Sequence, residues 1–284
     1  MFQYAFGLNL ARKNNTELLL DTVFLADRLP RREFTYRTFA LDVFRLEPRF
    51  TRLSTISGAI PVPGLWLAMD LTLIKLRELL QVSALLKEKH EPILDLQALQ
   101  NGGNALVWGF WHSEKYFADV ADEIRKEFQL KNKLSGDAAR IGEKVSATNS
   151  VSLHVRRRDY VNCERNKRET GETDVPYYNR AAFYVAERVT NLHFYVFSDD
   201  IAWCEENLHL AFPTTYVGDG SAGPKGAFHL QLMSLCKHNI IASSTFSWWS
   251  AWLNQNPGKI VVAPERWRPG SQQIVPQRWI KIAS

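Results

Sequence analysis

Three consecutive arginines follow a short apolar run near the middle of the chain. The run from Ser150 to Val155 is rich in β-branched residues and too short for a helix, so it predicts a buried strand. Arg156, Arg157 and Arg158 come directly after it. The planar fork of arginine binds phosphate through two parallel charge-assisted hydrogen bonds. The pattern indicates a site for a phosphorylated ligand, and a solvated turn is the alternative that these residues leave open.

Two further predicted strands end in polar clusters. The strand from His193 to Ser198 is followed by two carboxylates, which could accept hydrogen bonds from a ribose or a guanine, or could cap the next helix. The strand from Asn239 to Ala242 is followed by hydroxyl groups, which could bind phosphate at a helix N-terminus or simply cap it. These candidate binding residues are Asp199, Asp200, Ser243, Ser244, Thr245 and Ser247. His154, inside the first strand, is either a phosphate ligand or a buried core histidine.

The elements that position these clusters alternate between strand and helix in the second half of the chain. This alternation predicts an α/β fold with a parallel sheet, whose strand ends meet at one edge. The three tryptophans of a helix expected from Trp248 to Leu253 are assigned to the core. Residues 66–87 read as one or two helices, and the polar stretch 129–149 as a hinge. We therefore expect two domains, 1–140 and 141–284.

Composition limits the possible functions. The 284 residues are 45% hydrophobic and 23% charged, and the net charge of +5 fits an anionic partner without any nucleic-acid motif. The cysteines, Cys163, Cys204 and Cys236, are far apart, and the histidines lack zinc spacing. We expect no disulfide framework, no metal site and no cofactor.

The chain shows no signal peptide, and the apolar stretch from Val62 to Leu86 contains Asp70, Lys75, Arg77 and Glu78, too many charges for a membrane span. A cytoplasmic location is expected, and a peripheral contact with the inner face of the membrane is left open.

Several stretches together resemble one family, the family 11 glycosyltransferases, which are α-1,2-fucosyltransferases. The opening MFQYAFG resembles the family's GGLGNQMFQYAFG from its middle onwards, so the amino-terminal strand and Gly-rich loop are expected to be lacking. The other similar stretches are HVRRRDY at 154–160 (family HxRRGDY), GFWHSEKYF at 109–117 (GYWQSEKYF), FSDD with Trp203 (FSDDxxW) and the run from Leu232 to Trp249 (LMSLCKHNIIANSTFSWW).

The resemblance implies an inverting, metal-independent transfer of L-fucose from GDP-fucose to the 2-hydroxyl of a terminal galactose. It also implies a GT-B-like architecture, with two Rossmann-like domains facing a cleft and the carboxyl-terminal one holding GDP-fucose. By resemblance, Arg156 contacts the pyrophosphate with His154 beside it, Asp199 or Asp200 holds guanosine, and Ser244 to Phe246 bind phosphates. Inversion needs a base near the acceptor hydroxyl, and Asp159 and Glu164 are the nearest acids. The acceptor would be a galactose-terminated oligosaccharide or lipid-linked glycan.

The chain departs from the family pattern at Arg158, where the family has glycine, at Ser243, where it has asparagine, and at His229, where an acid is usual. A glycine position can require a positive φ or a close backbone approach, which an arginine would oppose. The alternatives to an active fucosyltransferase are a catalytically impaired relative that binds nucleotide sugar or glycan, and an unrelated phosphate-binding regulator.

Overall fold

The computed structural model describes residues 1–27, 36–60, 62, 64–79, 83–87, 104–157, 173–267 and 273–284. The chain divides into two compact units, Met1–Gln129 and Leu130–Ser284. Both mix helices with parallel strands, as the α/β expectation requires. Arg158, Asp159 and Glu164 lie outside the described residues, so their predicted roles stay predictions.

The first unit is built around helix α1 (Phe2–Lys13), which is buried on most of its surface. Phe2, Ala5, Phe6 and Leu10 recur at helical spacing, which favours this helix. It packs against a 3-10 segment, Glu114–Val120, which follows the N-cap residue Ser113. The other elements are β1 (Leu19–Leu20), α2 (Val23–Ala26), β2 (Arg49–Phe50), α3 (Arg52–Ala59), α4 (Leu65–Leu79), β3 (Ser83–Lys87), β4 (Asn104–Trp108) and α5 (Ala121–Glu127).

Strands of the first unit pair in two small parallel sheets, β1 with β2 and β3 with β4. The predicted continuation of helix to residue 87 was wrong: α4 ends at Leu79, and Ser83–Lys87 is a strand. A Leu-rich run without a glycine or proline carries no signal for that change. Within the described residues, no helix combines the length and the apolar character needed to span a membrane.

The second unit contains a six-stranded sheet in which every pair is parallel. In chain order its elements are α6 (Gly136–Ala147), β5 (Asn149–Val155), α7 (Val175–Ala186), β6 (Leu192–Ser198), α8 (Ile201–Asn207), β7 (Thr214–Val217), α9 (Ala227–Leu235), β8 (His238–Ile240), α10 (Thr245–Leu253), β9 (Val261–Pro264) and β10 (Ile280–Ile282). The boundary between the two units, after Gln129, falls within the predicted hinge at 129–149, but helix α6 occupies most of that stretch and buries Ala138 and Val145 against the sheet.

Strand order in this sheet is β10-β9-β8-β5-β6-β7. The chain moves outward from β5 through β6 and β7, then returns to the other side of β5 and continues through β8, β9 and β10. The order therefore reverses between β5 and β8. In open α/β sheets, the crevice at the carboxyl ends of the strands at such a reversal is the usual place for a ligand.

Alternating side chains of β5 and β6 face two separate cores. Val151, Leu153 and Val155 pack with α7 and α8, while Tyr195 and Phe197 lie on the opposite face with α6 and α9. The tryptophans of α10 are buried, as predicted: Trp248, Trp249 and Trp252 have relative exposures of 0%, 2% and 2%. The helix begins three residues earlier than predicted, at Thr245, with Ser244 as its N-cap.

A buried amide joins the strand at the reversal to its neighbours. Asn239 in β8 is fully buried, and its Nδ2 donates to Ser152 Oγ (2.7 Å) and to the Met233 carbonyl (2.8 Å). Its Oδ1 accepts from Asn254 Nδ2 at 2.7 Å, just after α10. One side chain thus ties β8 to β5, α9 and the end of α10.

We expect Asn239→Ala to lower the free energy of unfolding by about 3 kcal/mol, because it leaves several buried polar groups without partners and opens a cavity. Urea unfolding followed by circular dichroism measures the change. Asn207→Ala is the matched control: this exposed amide bonds only the Trp203 carbonyl of its own helix, and its loss should cost less than about 0.5 kcal/mol. Equal midpoints for the two variants would contradict the role given to Asn239.

Candidate nucleotide-sugar site

Two arginines and two aspartates meet across the carboxyl ends of β5 and β6. The strands pair in register up to Val155 and Ser198, so the residues that follow lie side by side. Arg156 Nη1 is 3.0 Å from Asp199 Oδ2, and the Arg157 backbone N–H donates to Asp199 Oδ1 at 2.9 Å. Both side chains of the Arg156–Asp199 pair are mostly buried, at 24% and 17% exposure. The structure therefore brings together the predicted arginine and carboxylate of two separate sequence clusters.

Arg157 is held inside the protein by two contacts. Its Nε lies 3.3 Å from Asp200 Oδ2, and its guanidinium carbon lies 3.9 Å from the centre of the Trp203 ring. Stacking on an aromatic face and pairing with a carboxylate are both favourable for a guanidinium. Arg157 therefore forms an ion pair within the protein.

Asp200 occupies the N-cap position of α8 but does not cap it with its side chain. Its backbone N–H donates to Ser198 Oγ at 2.9 Å, and one carboxylate oxygen, Oδ2, pairs with Arg157. Within the described ranges, no group bonds the other oxygen, Oδ1. The Asp200 carboxylate therefore has one oxygen with a partner among these residues, whereas both oxygens of Asp199 have one.

Three of the hydroxyl groups that follow β8 form hydrogen bonds with the backbone, and the fourth, that of Thr245, is on an exposed residue. Ser243 is buried and donates to the Arg266 carbonyl at 3.0 Å, while Ser247 is buried and donates to the Ser244 carbonyl at 3.2 Å. Ser244 Oγ accepts from the Phe246 N–H at 3.3 Å, which is the capping role that the sequence left open. Thr245 is exposed at the first position of α10.

His154 links the tip of β5 to the start of α10. It is 4% exposed, its ring centre is 5.6 Å from that of Phe246, and its Nδ1 is buried without a hydrogen-bond partner among the residues described. Burial lowers the pKa of His154 to about 3, and the charge of Arg156 and the nearby His229 act in the same direction. His154 is thus a neutral, buried imidazole beside the first turn of α10.

His229, which sequence reasoning treated only as a departure from the family, supports the neighbouring loop. Its Nε2 is 3.0 Å from Ser221 Oγ and 3.3 Å from the Gly218 carbonyl, and its ring packs edge-on against Phe197. Burial lowers its pKa. The histidine therefore fixes the segment after β7 against the sheet, a role that only its spatial neighbours reveal.

The arrangement suits a phosphate-containing ligand. The first amides of α10 have no partner within the helix, and the helix dipole favours negative charge there. Arginine has five N–H donors, so one guanidinium can bind a carboxylate and a phosphate at the same time. Arg156 follows β5, and α10 follows β8. The sheet order reverses between these two strands, which is the position expected for such a ligand.

Comparison with known proteins defines the class. The model of glycosyl transferase family 11 matches residues 1–282, and the chain belongs to this family. It is 32% identical over 295 residues to the O-antigen biosynthesis glycosyltransferase WbnK of Escherichia coli, covering 99% of this chain and 96% of WbnK. It is 36% identical over 184 residues to the alpha-1,2-colitosyltransferase of Escherichia coli, and this match spans 63% of each protein. Rat galactoside alpha-(1,2)-fucosyltransferase 1 is 30% identical over 153 residues, 40% of its length.

The protonation state of His154 gives a test of the site's geometry. We expect the ring resonances of folded His154 to stay constant between pH 7.5 and about pH 5. In the urea-unfolded chain, a histidine should titrate at a pH of about 6.5. Because the folded pKa is the lower one, the unfolded state binds more protons below about pH 6.5. This group therefore removes stability as the pH falls from there towards 3, by about 1.4 kcal/mol per pH unit.

Histidine-detected NMR across this pH range measures the titration, and a His154→Leu variant assigns the resonance. A His154 midpoint near that of the unfolded chain would show that the imidazole is not buried beside Phe246.

Proposed function

We propose that the protein transfers L-fucose from GDP-fucose to the 2-hydroxyl of a terminal β-galactoside with inversion at the fucose C1. Family membership supports a glycosyltransferase, and the relatives' names give α-1,2 transfer of fucose or colitose. The observation that carries the proposal is Arg156 at the β5 tip, paired at 3.0 Å with Asp199 and set on the strand next to the one that leads into α10.

In the proposed reaction, the galactose 2-hydroxyl oxygen attacks the fucose C1 from the face opposite the nucleotide. The bond from C1 to the β-phosphate oxygen breaks, and GDP leaves with the electron pair. The hydroxyl proton passes to a base, for which Asp159 and Glu164 remain the predicted candidates. Negative charge grows on the leaving pyrophosphate, and preorganised cations and amides lower the barrier when they face that charge.

Arg156 has the main electrostatic role in this proposal. Its guanidinium is held by Asp199, so its position is set before the ligand binds and little reorganisation is needed. The amides at the start of α10 and the Thr245 hydroxyl would hold the remaining phosphate oxygens. The neutral His154 adds no charge next to Arg156, so it leaves the anion to the arginine and can supply an N–H.

The two aspartates would have different partners: Asp199 would bind arginine, and Asp200 would bind guanine. Asp199 uses one oxygen for Arg156 and the other for the Arg157 amide, so it serves as the positioning carboxylate. Asp200 keeps Oδ1 for a ligand, and this oxygen can accept from an N–H group at the guanine edge. Arg157 and Trp203 hold Asp200 in place for this contact.

We expect Arg156→Ala to lower kcat/KM for transfer from GDP-fucose to lactose by roughly a hundredfold or more, because one transition-state charge contact is lost. Arg156→Lys should recover only part of the activity, since lysine lacks the planar fork. Arg140→Ala is the matched control: this exposed arginine pairs with Asp137 within α6 and should be replaceable without loss. Radiolabel transfer or GDP-release assays measure the rates, and near-normal activity of Arg156→Ala would reject the assignment.

We expect GDP to raise the unfolding temperature more than UDP does, and Asp200→Asn to remove most of this preference. Asparagine keeps the size of the side chain but presents one acceptor oxygen in place of two. Thermal shift with both nucleotides measures the effect, with Glu205→Gln on the exposed surface of the same helix as control. If Asp200→Asn keeps the full GDP preference, guanine is held elsewhere.

The same assays separate the alternatives. GDP binding without transfer to any galactoside would favour the catalytically impaired relative, and stabilisation by phosphate alone without guanine preference would favour an unrelated phosphate-binding regulator. Parallel reactions with GDP-fucose and GDP-colitose decide which sugar the protein transfers.

A further inference from the structure

Exposed aromatic side chains cluster at the carboxyl end of β4 in the first unit. Trp108, the last residue of the strand, is 48% exposed, and Phe110, two residues later, is 65% exposed. The Phe110 ring is stacked on that of His112, with 5.3 Å between centres and 23° between planes. Phe and Trp are the side chains that gain most from burial, so two exposed at one strand tip indicate a surface that a ligand covers.

The backbone beside these rings is strained. Trp111 has a φ of 58°, a conformation that bulky side chains rarely adopt and that costs roughly 1–3 kcal/mol. Its ring is 1% exposed and lies 4.2 Å, stacked, from that of Phe6. The left-handed residue turns Trp111 into the core formed with Phe6 and Leu10, while Phe110 stays at the surface. The left-handed conformation of Trp111 thus separates a buried ring from the exposed ring next to it in the chain.

The first turn of helix α1 contacts His112 and Gly109, on either side of the buried Trp111. The Phe2 ring packs edge-on against His112, with 5.1 Å between centres, and Gln3 Nε2 donates to the Gly109 carbonyl at 2.8 Å. Both contacts come from the first turn of a helix that is otherwise buried. The rings of Phe110 and His112 are thus fixed, with the polar groups of Gln3 and His112 beside them.

We propose that an aromatic platform, made of the stacked Phe110 and His112 rings with the exposed Trp108 at the end of β4, binds the galactose ring of the acceptor. The axial 4-hydroxyl of galactose leaves the C–H groups at C3, C4 and C5 on one face of the ring, and such an apolar face stacks on aromatic side chains. Its hydroxyls would meet the polar groups at the edge of the platform. This inference rests on the proposed function, because it gives the galactoside its binding surface in the first unit.

The test is acceptor kinetics on the full chain with GDP-fucose at saturation. Trp108→Ala and Phe110→Ala should each raise the KM for lactose about tenfold or more and leave the KM for GDP-fucose unchanged. Trp108→Phe should keep most of the acceptor affinity, because an aromatic face remains. Phe183→Ala is the matched control, since Phe183 is a 53% exposed ring on α7 of the second unit. Unchanged lactose KM in both alanine variants overturns the inference.

Saturation-transfer NMR with lactose, and with cellobiose as the glucose-ended comparison, separates this failure from failure of the proposed function. If the wild-type chain transfers no fucose, a lactose signal that Trp108→Ala or Phe110→Ala abolishes still supports the platform, whereas a signal equal in wild type and variants overturns it. Circular dichroism checks the fold of each variant, and Phe110→Leu, which keeps apolar bulk without a flat face, replaces Phe110→Ala if that variant unfolds.

Discussion

The ion pair between Arg156 and Asp199 is the contact on which the candidate site depends. It exists because β5 and β6 are parallel and in register, so that the residues after Val155 and after Ser198 leave the sheet side by side. A cation whose partner is a mostly buried carboxylate has its position set by that partner. The surrounding contacts maintain this arrangement: the Arg157 amide bonds Asp199, and Trp203 with Asp200 holds the Arg157 side chain.

The opposite wall of the site depends on the core rather than on charge. The start of α10 is placed by the buried tryptophans of that helix and by the Asn239 network that joins β8 to β5. His154 packs against Phe246, so a residue near the end of β5 also contacts the first turn of α10. A polar pair and an apolar core thus fix the two sides of one crevice independently.

Much of the second unit's sheet, and the clusters at its strand ends, could be predicted from the sequence. Three short apolar runs, followed by Arg156, Asp199 and Ser243, indicated three strands of one parallel sheet, and the structure places all three in it. The sequence left each aspartate open between capping and binding, because the choice depends on Arg156 and Arg157, which come from another strand.

The failures have local physical reasons. The start of α10 was placed at Trp248 because the preceding Ser and Thr residues resemble a loop, although Ser244 is an N-cap and the helix follows it. Helix α6 was assigned to a hinge, since its buried face consists of small residues and valine among many charges. The left-handed Trp111 could not be predicted from the sequence, because its core partners, not its own preference, impose that conformation.

The strand order of the second unit also affects how this protein is made and protected. β5 lies at the centre of the sheet, yet one of its neighbours, β8, is synthesised only after β6 and β7. A partly synthesised chain can carry Arg156 and Asp199 while one edge of β5 is still unpaired, and unpaired strand edges invite aggregation. A ligand that contacted both the β5 tip and α10 would bind only the completed sheet, so it would stabilise the folded unit against proteolysis and unfolding, and more so at higher ligand concentration.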